Sequence, residues 1–114
     1  PETFYVAEVI REKVFQCTHE EVPYAVAVRV DEIVERREPA RLDIRATIFV
    51  ERDSQKGILI GKGGQMLKRI GTAARLELEA FFGVKVFLGL TVQVRPGWRK
   101  DERALREFGF LLTS

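Results

Sequence analysis

A chain of 114 residues, 46% hydrophobic and carrying eight Phe, two Tyr and one Trp, suits one domain with a modest core and is too apolar for disorder over most of its length. No apolar run approaches the roughly 20 residues of a bilayer-spanning helix, and one cysteine, Cys17, with one histidine, His19, excludes an intrachain disulfide and any four-ligand zinc site built without carboxylates. The net charge of +2 is unevenly spread: Arg52, Lys56, Lys62, Lys68, Arg69 and Arg75 face Asp53 alone, six cations to one anion, so residues 52–75 carry +5 and the remainder −3. That concentration would draw a polyanion, although basic residues on a helix are also its ordinary solvated face. The first residue is Pro1 and no secretory signal opens the chain, which is expected of a domain excised from a longer protein of cytoplasmic origin.

Phe4, Val6, Ala7, Ile10, Val14 and Phe15 recur at spacings of three and four and predict a helix over residues 1–16. Residues 18–23 break it, with Pro23 fixing an extended entry to the next element. Cys17 and His19 could be read as nucleophile and base, but nothing nearby offers an orienting acid or an oxyanion hole, and an idle thiol is the simpler reading. Tyr24, Val26, Val28 and Val30 then alternate with Ala25, Ala27, Arg29 and Asp31, and after the charged residues 35–39 the period of two returns in Leu42, Ile44, Ala46, Ile48 and Val50. Two antiparallel strands joined by a polar turn follow from this pattern.

Asp53 or Ser54 can cap a short helix reaching Ile60. A second helix starts at Gly64, with Leu67, Ile70, Ala74, Leu78 and Phe81 on its apolar side, and Gly83 ends it. Val84, Val86, Leu88, Leu90, Val92 and Val94 share one face of a third strand. Beyond Pro96-Gly97, Asp101 or its neighbours start a short C-terminal helix. The fold class is therefore α+β, in the order α-β-β-α-α-β plus that final helix. The two helices between the second and third strands fit a crossover that makes those strands parallel. The sheet should be mixed and three-stranded with helices on one face, leaving Arg45, Thr47, Phe49, Lys85, Phe87 and Gln93 toward solvent on the other.

Between the two central helices stands Ile60-Gly61-Lys62-Gly63-Gly64. Glycine tolerates positive φ and lets another molecule approach the backbone, and the amides that open a helix lack partners, so the natural guest is an anion such as phosphate. A Walker-type loop requires four residues between its glycines and then Lys and Ser or Thr; Gly57 to Gly61 leaves three, and Gly63 follows Lys62. A dinucleotide fingerprint from Gly61 would need glycine where Met66 stands.

What survives is Gly-x-x-Gly at 61–64 inside Leu59-Ile60-Gly61-Lys62-Gly63-Gly64-Gln65-Met66-Leu67. Set between two helices and two strands, it resembles the KH nucleic-acid-binding domain, and the preceding helix and hairpin match the type II arrangement. The segments Ile10-Arg11-Glu12-Lys13, residues 19–24, Ile48 to Ile60, residues 85–88 and Trp98-Arg99-x-Asp101-Glu102 further resemble the C-terminal part of a bacterial GTPase family, over nearly the whole chain. That resemblance implies a non-catalytic domain that needs no cofactor. It would bind single-stranded RNA near the 3′ end of 16S ribosomal RNA, in assembly of the 30S subunit. It further implies, for a longer parent, a GTPase domain and the inner membrane surface as partners.

In KH domains the loop clamps the backbone of about four nucleotides. Carried over, Gly61, Lys62, Gly63 and Gly64 would hold the sugar-phosphate chain, with the amides of Gly64 and Gln65 pointing outward and Lys62 adding a salt-dependent contact. Ile60, Leu67, Ile44 and Ala46 are candidates for the floor of a base-binding groove, and Arg45, Lys56, Lys68 and Arg69 for its charged rim. Gly63 departs from the charged or polar residues usual there, leaving Lys62 as the only cation in the loop. Phe49 and Phe87 are expected to meet a terminal helix and Trp98 to anchor the tail. The alternative function is a protein-interaction module that docks a GTPase domain or a ribosomal protein.

Overall fold

The computed structural model describes residues 1–19 and 26–109. The predicted start of the first strand at Tyr24 and most of the preceding breaker lie outside them. The elements run α1 (Glu2–Thr18), β1 (Ala27–Arg37), β2 (Ala40–Val50), α2 (Asp53–Ile60), α3 (Gln65–Phe82), β3 (Lys85–Val94) and α4 (Glu102–Glu107). The sheet has the order β1-β2-β3, with β1 and β2 antiparallel and β2 and β3 parallel. The crossover of α2 and α3 thus does what its length foretold.

One face of the sheet carries the principal core. Leu42, Ile44, Ala46, Ile48 and Val50 of β2 meet Val6, Val9, Ile10 and Val14 of α1, Leu59 of α2, and Ile70, Ala74 and Leu78 of α3. Strict alternation would place Glu32 of β1 on this face. A bulge between Val30 and Glu32 shifts the register, so Glu32 lies opposite Arg45 and Ile33 opposite Ile44, returning an apolar side chain to the core. The inserted Asp31 accepts a 2.7 Å hydrogen bond from the Thr47 hydroxyl. Across the helical layer, Lys13 of α1 meets Glu77 of α3 at 2.7 Å.

The start of α2 is capped differently from the expectation at Asp53 or Ser54. Gln55 turns back, and its Oε1 accepts from the N–H groups of Glu51 at 2.9 Å and Arg52 at 3.0 Å, an arrangement that also buries its side chain. On α3, Phe81 lies 60% exposed rather than in the core. It stacks on Tyr5 of α1 with ring centroids 4.2 Å apart.

The second face of the sheet is the larger correction. Thr47 and Phe49, expected to face solvent, are only 5% and 1% exposed. The C-terminal segment folds across this face: Phe49 stacks on Phe108 at 4.4 Å, Trp98 meets Phe108 edge-on at 5.5 Å, and Ala27 and Ala104 complete a small second core. Asp101 caps α4 by accepting from Arg103 and Ala104 N–H groups. Phe49 therefore does meet a terminal helix, and Trp98 does anchor the tail. Phe87 meets neither: it is half exposed, beneath the Arg45 guanidinium at 5.9 Å.

Candidate nucleic-acid interface

Gly61 closes α2, its N–H donating to Gly57 O at 2.9 Å. Its φ of +73° disfavours a side chain, and a Cβ there would stand 2.7 Å from Met66 Cβ and 3.0 Å from Met66 N, so only glycine fits. Residues Lys62–Gly64 form one turn of 3-10 helix leading into α3. Gly63, also at positive φ, borders open space.

The amides assigned to an anion need revision. Gly64 N–H donates to Gly61 O at 3.1 Å and Gln65 N–H to Lys62 O, so both are engaged inside the turn. Of the loop's N–H groups, those of Lys62 and Gly63 are the ones with no acceptor among the described residues. They open the turn, which shifts the anion-facing donors toward its beginning.

Beside the loop, α3 and the edge strand β3 bound a groove of about 310 Å³, lined by Gly64, Leu67, Lys68, Gly71, Thr72, Arg75, Leu88 and Leu90. Leu67 lines the groove. Ile44 and Ala46 do not: at 0% and 1% exposure they lie under the sheet surface in the principal core. Ile60 is half-buried at the end of α2 and outside the groove lining. Leu88, Leu90 and Gly71 complete the floor instead. The alternation of β3 already puts Leu88 and Leu90 on the helical face; what it lacks is that α3 stops short of covering them.

Lys62, Lys68 and Arg69 are exposed and Lys56 half-buried, and among the described residues none of the four engages a carboxylate. Arg75 is held by Glu79 at 3.1 Å, and the same carboxylate accepts Val86 N–H at 3.0 Å, tying the end of α3 to β3. That N–H, with Arg75 as a lesser influence, holds the Glu79 carboxyl below its usual range. Arg45, placed on the rim by the sequence, lies on the opposite sheet face, 3.4 Å from Glu32 and over Phe87. Cys17 is partly buried against the core and His19 is exposed at the left-handed end of α1. Among the described residues no group of His, Cys, Asp or Glu is placed to hold a metal ion, and no helix is long and apolar enough to cross a membrane.

A family model described as KH domain matches residues 21–99. The chain is 59% identical over 110 residues to GTPase Era of Geobacter metallireducens, spanning 96% of this chain and 37% of that protein. It is 53% identical to GTPase Era of Caldanaerobacter subterraneus, over 98% and 38% of the two. Among solved structures it superimposes on a point variant of Aquifex aeolicus Era bound to GDP·AlF4− with a TM-score of 0.91 and 43% identity, covering 98% of this chain and 38% of that one. A second, Era in complex with MgGDPNP and nucleotides 1506–1542 of 16S ribosomal RNA, gives 0.92 and 44% over 98% and 37%. The chain thus spans little more than a third of the length of these relatives.

Proposed function

The chain belongs to the KH domain family, and from that premise we propose that it binds single-stranded RNA without catalysing a reaction. The RNA backbone lies along the loop Gly61–Gly64, and bases enter the groove between α3 and β3. The observation that carries this reading is the coincidence of three features at one place: a loop whose first position only glycine can fill, two amides with no acceptor among the described residues, and a groove floored by leucines and edged by Lys68, which meets no carboxylate there, and by Arg75, which Glu79 holds. Phosphates meet the amides of Lys62 and Gly63 and the side chains of Lys62, Lys68 and Arg69, and the half-buried Lys56 of α2 adds to the positive field. Leu67, Leu88 and Leu90 offer apolar contact to the base faces, the sequence-tolerant part of such binding.

The proposed target is the 3′ end of 16S ribosomal RNA during assembly of the 30S subunit. Its support is the likeness to a structure solved with nucleotides 1506–1542 of that RNA. The test is a paired substitution, Lys62→Asp with Gly63→Asp: Gly63 borders open space, and its left-handed φ of +61° is one that aspartate adopts more readily than most residues, at a cost of about 1–2 kcal/mol. Binding to an oligonucleotide from the 16S 3′ end should be lost while the circular dichroism spectrum is unchanged. Undiminished binding by a folded double variant would refute the clamp.

A further inference from the structure

Gly71 sits in the interior of α3 and lines the groove. Glycine in a helix interior costs stability relative to alanine, so its presence calls for a cause. Backbone conformation does not supply one, because Gly71 lacks the positive φ of Gly61, Gly63 and Gly64. Close helix-to-strand packing does not supply one either. A Cβ built on Gly71 would have Leu90 Cδ1 at 3.7 Å as its nearest neighbour, an ordinary van der Waals contact. Alanine would fit the fold as it stands, and the one thing it would alter is the space in the groove.

We infer that Gly71 is a specificity-determining residue of the interface: its bare backbone sets the depth of the groove, and a single nucleobase lies flat against it between Leu67 and Leu90. The occupant follows from the surroundings. Leu67, Leu88 and Leu90 make the floor apolar, while the rim carries Thr72, Arg75 held by Glu79, and Lys68, which engages no carboxylate among the described residues. A flat apolar-faced ring on an anionic chain satisfies both. The inference rests on the RNA-binding reading above and adds to it that base access is gained here at the expense of helix stability.

Three variants separate the possibilities. Gly71→Ala and Gly71→Met graft a small and a large side chain, both good helix formers, onto the groove floor. Gly57→Ala makes the Gly-to-Ala change in α2, away from the groove and with nothing within 4 Å of the new Cβ. Thermal unfolding should show Gly57→Ala and Gly71→Ala melting higher by about 2–6 °C. In titrations with a single-stranded oligonucleotide from the 16S 3′ end, Gly57→Ala should match the parent. Gly71→Ala should bind about tenfold more weakly and Gly71→Met more weakly still, with the slope of log affinity against log salt unchanged because no phosphate contact is touched. A Gly71→Ala protein that binds as tightly as the parent overturns the inference, as does one that melts lower than the parent, since a packing role would then explain the glycine. Absence of binding by the parent chain would instead count against the RNA-binding reading itself.

Discussion

The two faces of the sheet handle positive charge in opposite ways. On the face closed by the C-terminal segment, six arginines are neutralised in place: Arg29 and Arg95 share Glu107, Arg36 and Arg41 share Asp43, Arg45 meets Glu32 and Arg99 meets Glu51, while Lys85 on that face and Lys100 and Arg103 in the segment form no ion pair among the described residues. Around the glycine loop on the other side, Lys56, Lys62, Lys68 and Arg69 are left unpaired among the described residues. Exposed ion pairs contribute little stability, so their importance on the first face is that they remove charge. The difference shows why counting cations is a poor guide to a nucleic-acid surface: only those lacking a nearby carboxylate retain their full attraction for phosphate.

Breaking the tail-covered face should produce the largest effect. Phe49→Ala removes a ring that is 1% exposed and stacked on Phe108, and a loss of about 3–5 kcal/mol in denaturant unfolding is expected. RNA affinity of the protein that remains folded should be unaltered, because the groove lies across the sheet. Gly61→Ala acts on the opposite side. Its Cβ would collide with Met66 at 2.7 Å from a φ of +73°, with a strain of about 1–3 kcal/mol. Here RNA affinity should fall along with stability.

Charge substitutions sharpen the contrast without disturbing the core. Lys68→Gln and Arg69→Gln should each lessen the salt slope of RNA binding by about 0.7, whereas Arg41→Gln and Arg99→Gln should leave it where it is. On the paired face, acid titration has a handle in Glu107. Arg95 first, then Arg29, holds the Glu107 carboxyl below its ordinary value of 4.5. The unfolded chain therefore takes up that proton at a higher pH than the folded one. The stabilisation is fully present above the unfolded value and is lost as pH falls through the lower folded one. Unfolding midpoints measured down an acid series should show a shallower decline in Glu107→Gln than in the parent, the smallest of these effects.

Much of this was legible in the sequence, and the failures have particular causes. Period-two and period-three-to-four patterns located the strands, α1 and α3, capping residues located α2 and α4, and the glycine spacing located the loop, because these signals are local. The register shift at Asp31 was hidden, since a bulge leaves composition unchanged and alters only the phase of the strand. The alternation that correctly buries Ile48 turns Phe49 outward, and the expectation that it meets a terminal helix comes from the family resemblance and not from the pattern. Alternation separates two faces but does not say whether a distant segment, here Trp98 to Phe108, will cover the second. Alternation already sets Arg45 on the sheet face away from the helices, in conflict with a place on the groove rim, and the structure sides with alternation; its pairing with Glu32 follows from the shifted register. The amide assignment at Gly64 and Gln65 failed for want of one detail, that the loop closes as a 3-10 turn before α3 begins.

The central claim is that the unpaired cations beside the glycine loop, and not the paired arginines of the other face, hold RNA. Its most direct test is fluorescence anisotropy titration of a labelled single-stranded 16S 3′-end oligonucleotide across a series of salt concentrations. The parent would be compared with Lys62→Gln/Lys68→Gln/Arg69→Gln and with Arg41→Gln/Arg99→Gln. The account predicts a salt slope that drops by about 2 in the first variant and stays at the parental value in the second. Equal slopes in all three proteins, or a drop confined to the second variant, would contradict it.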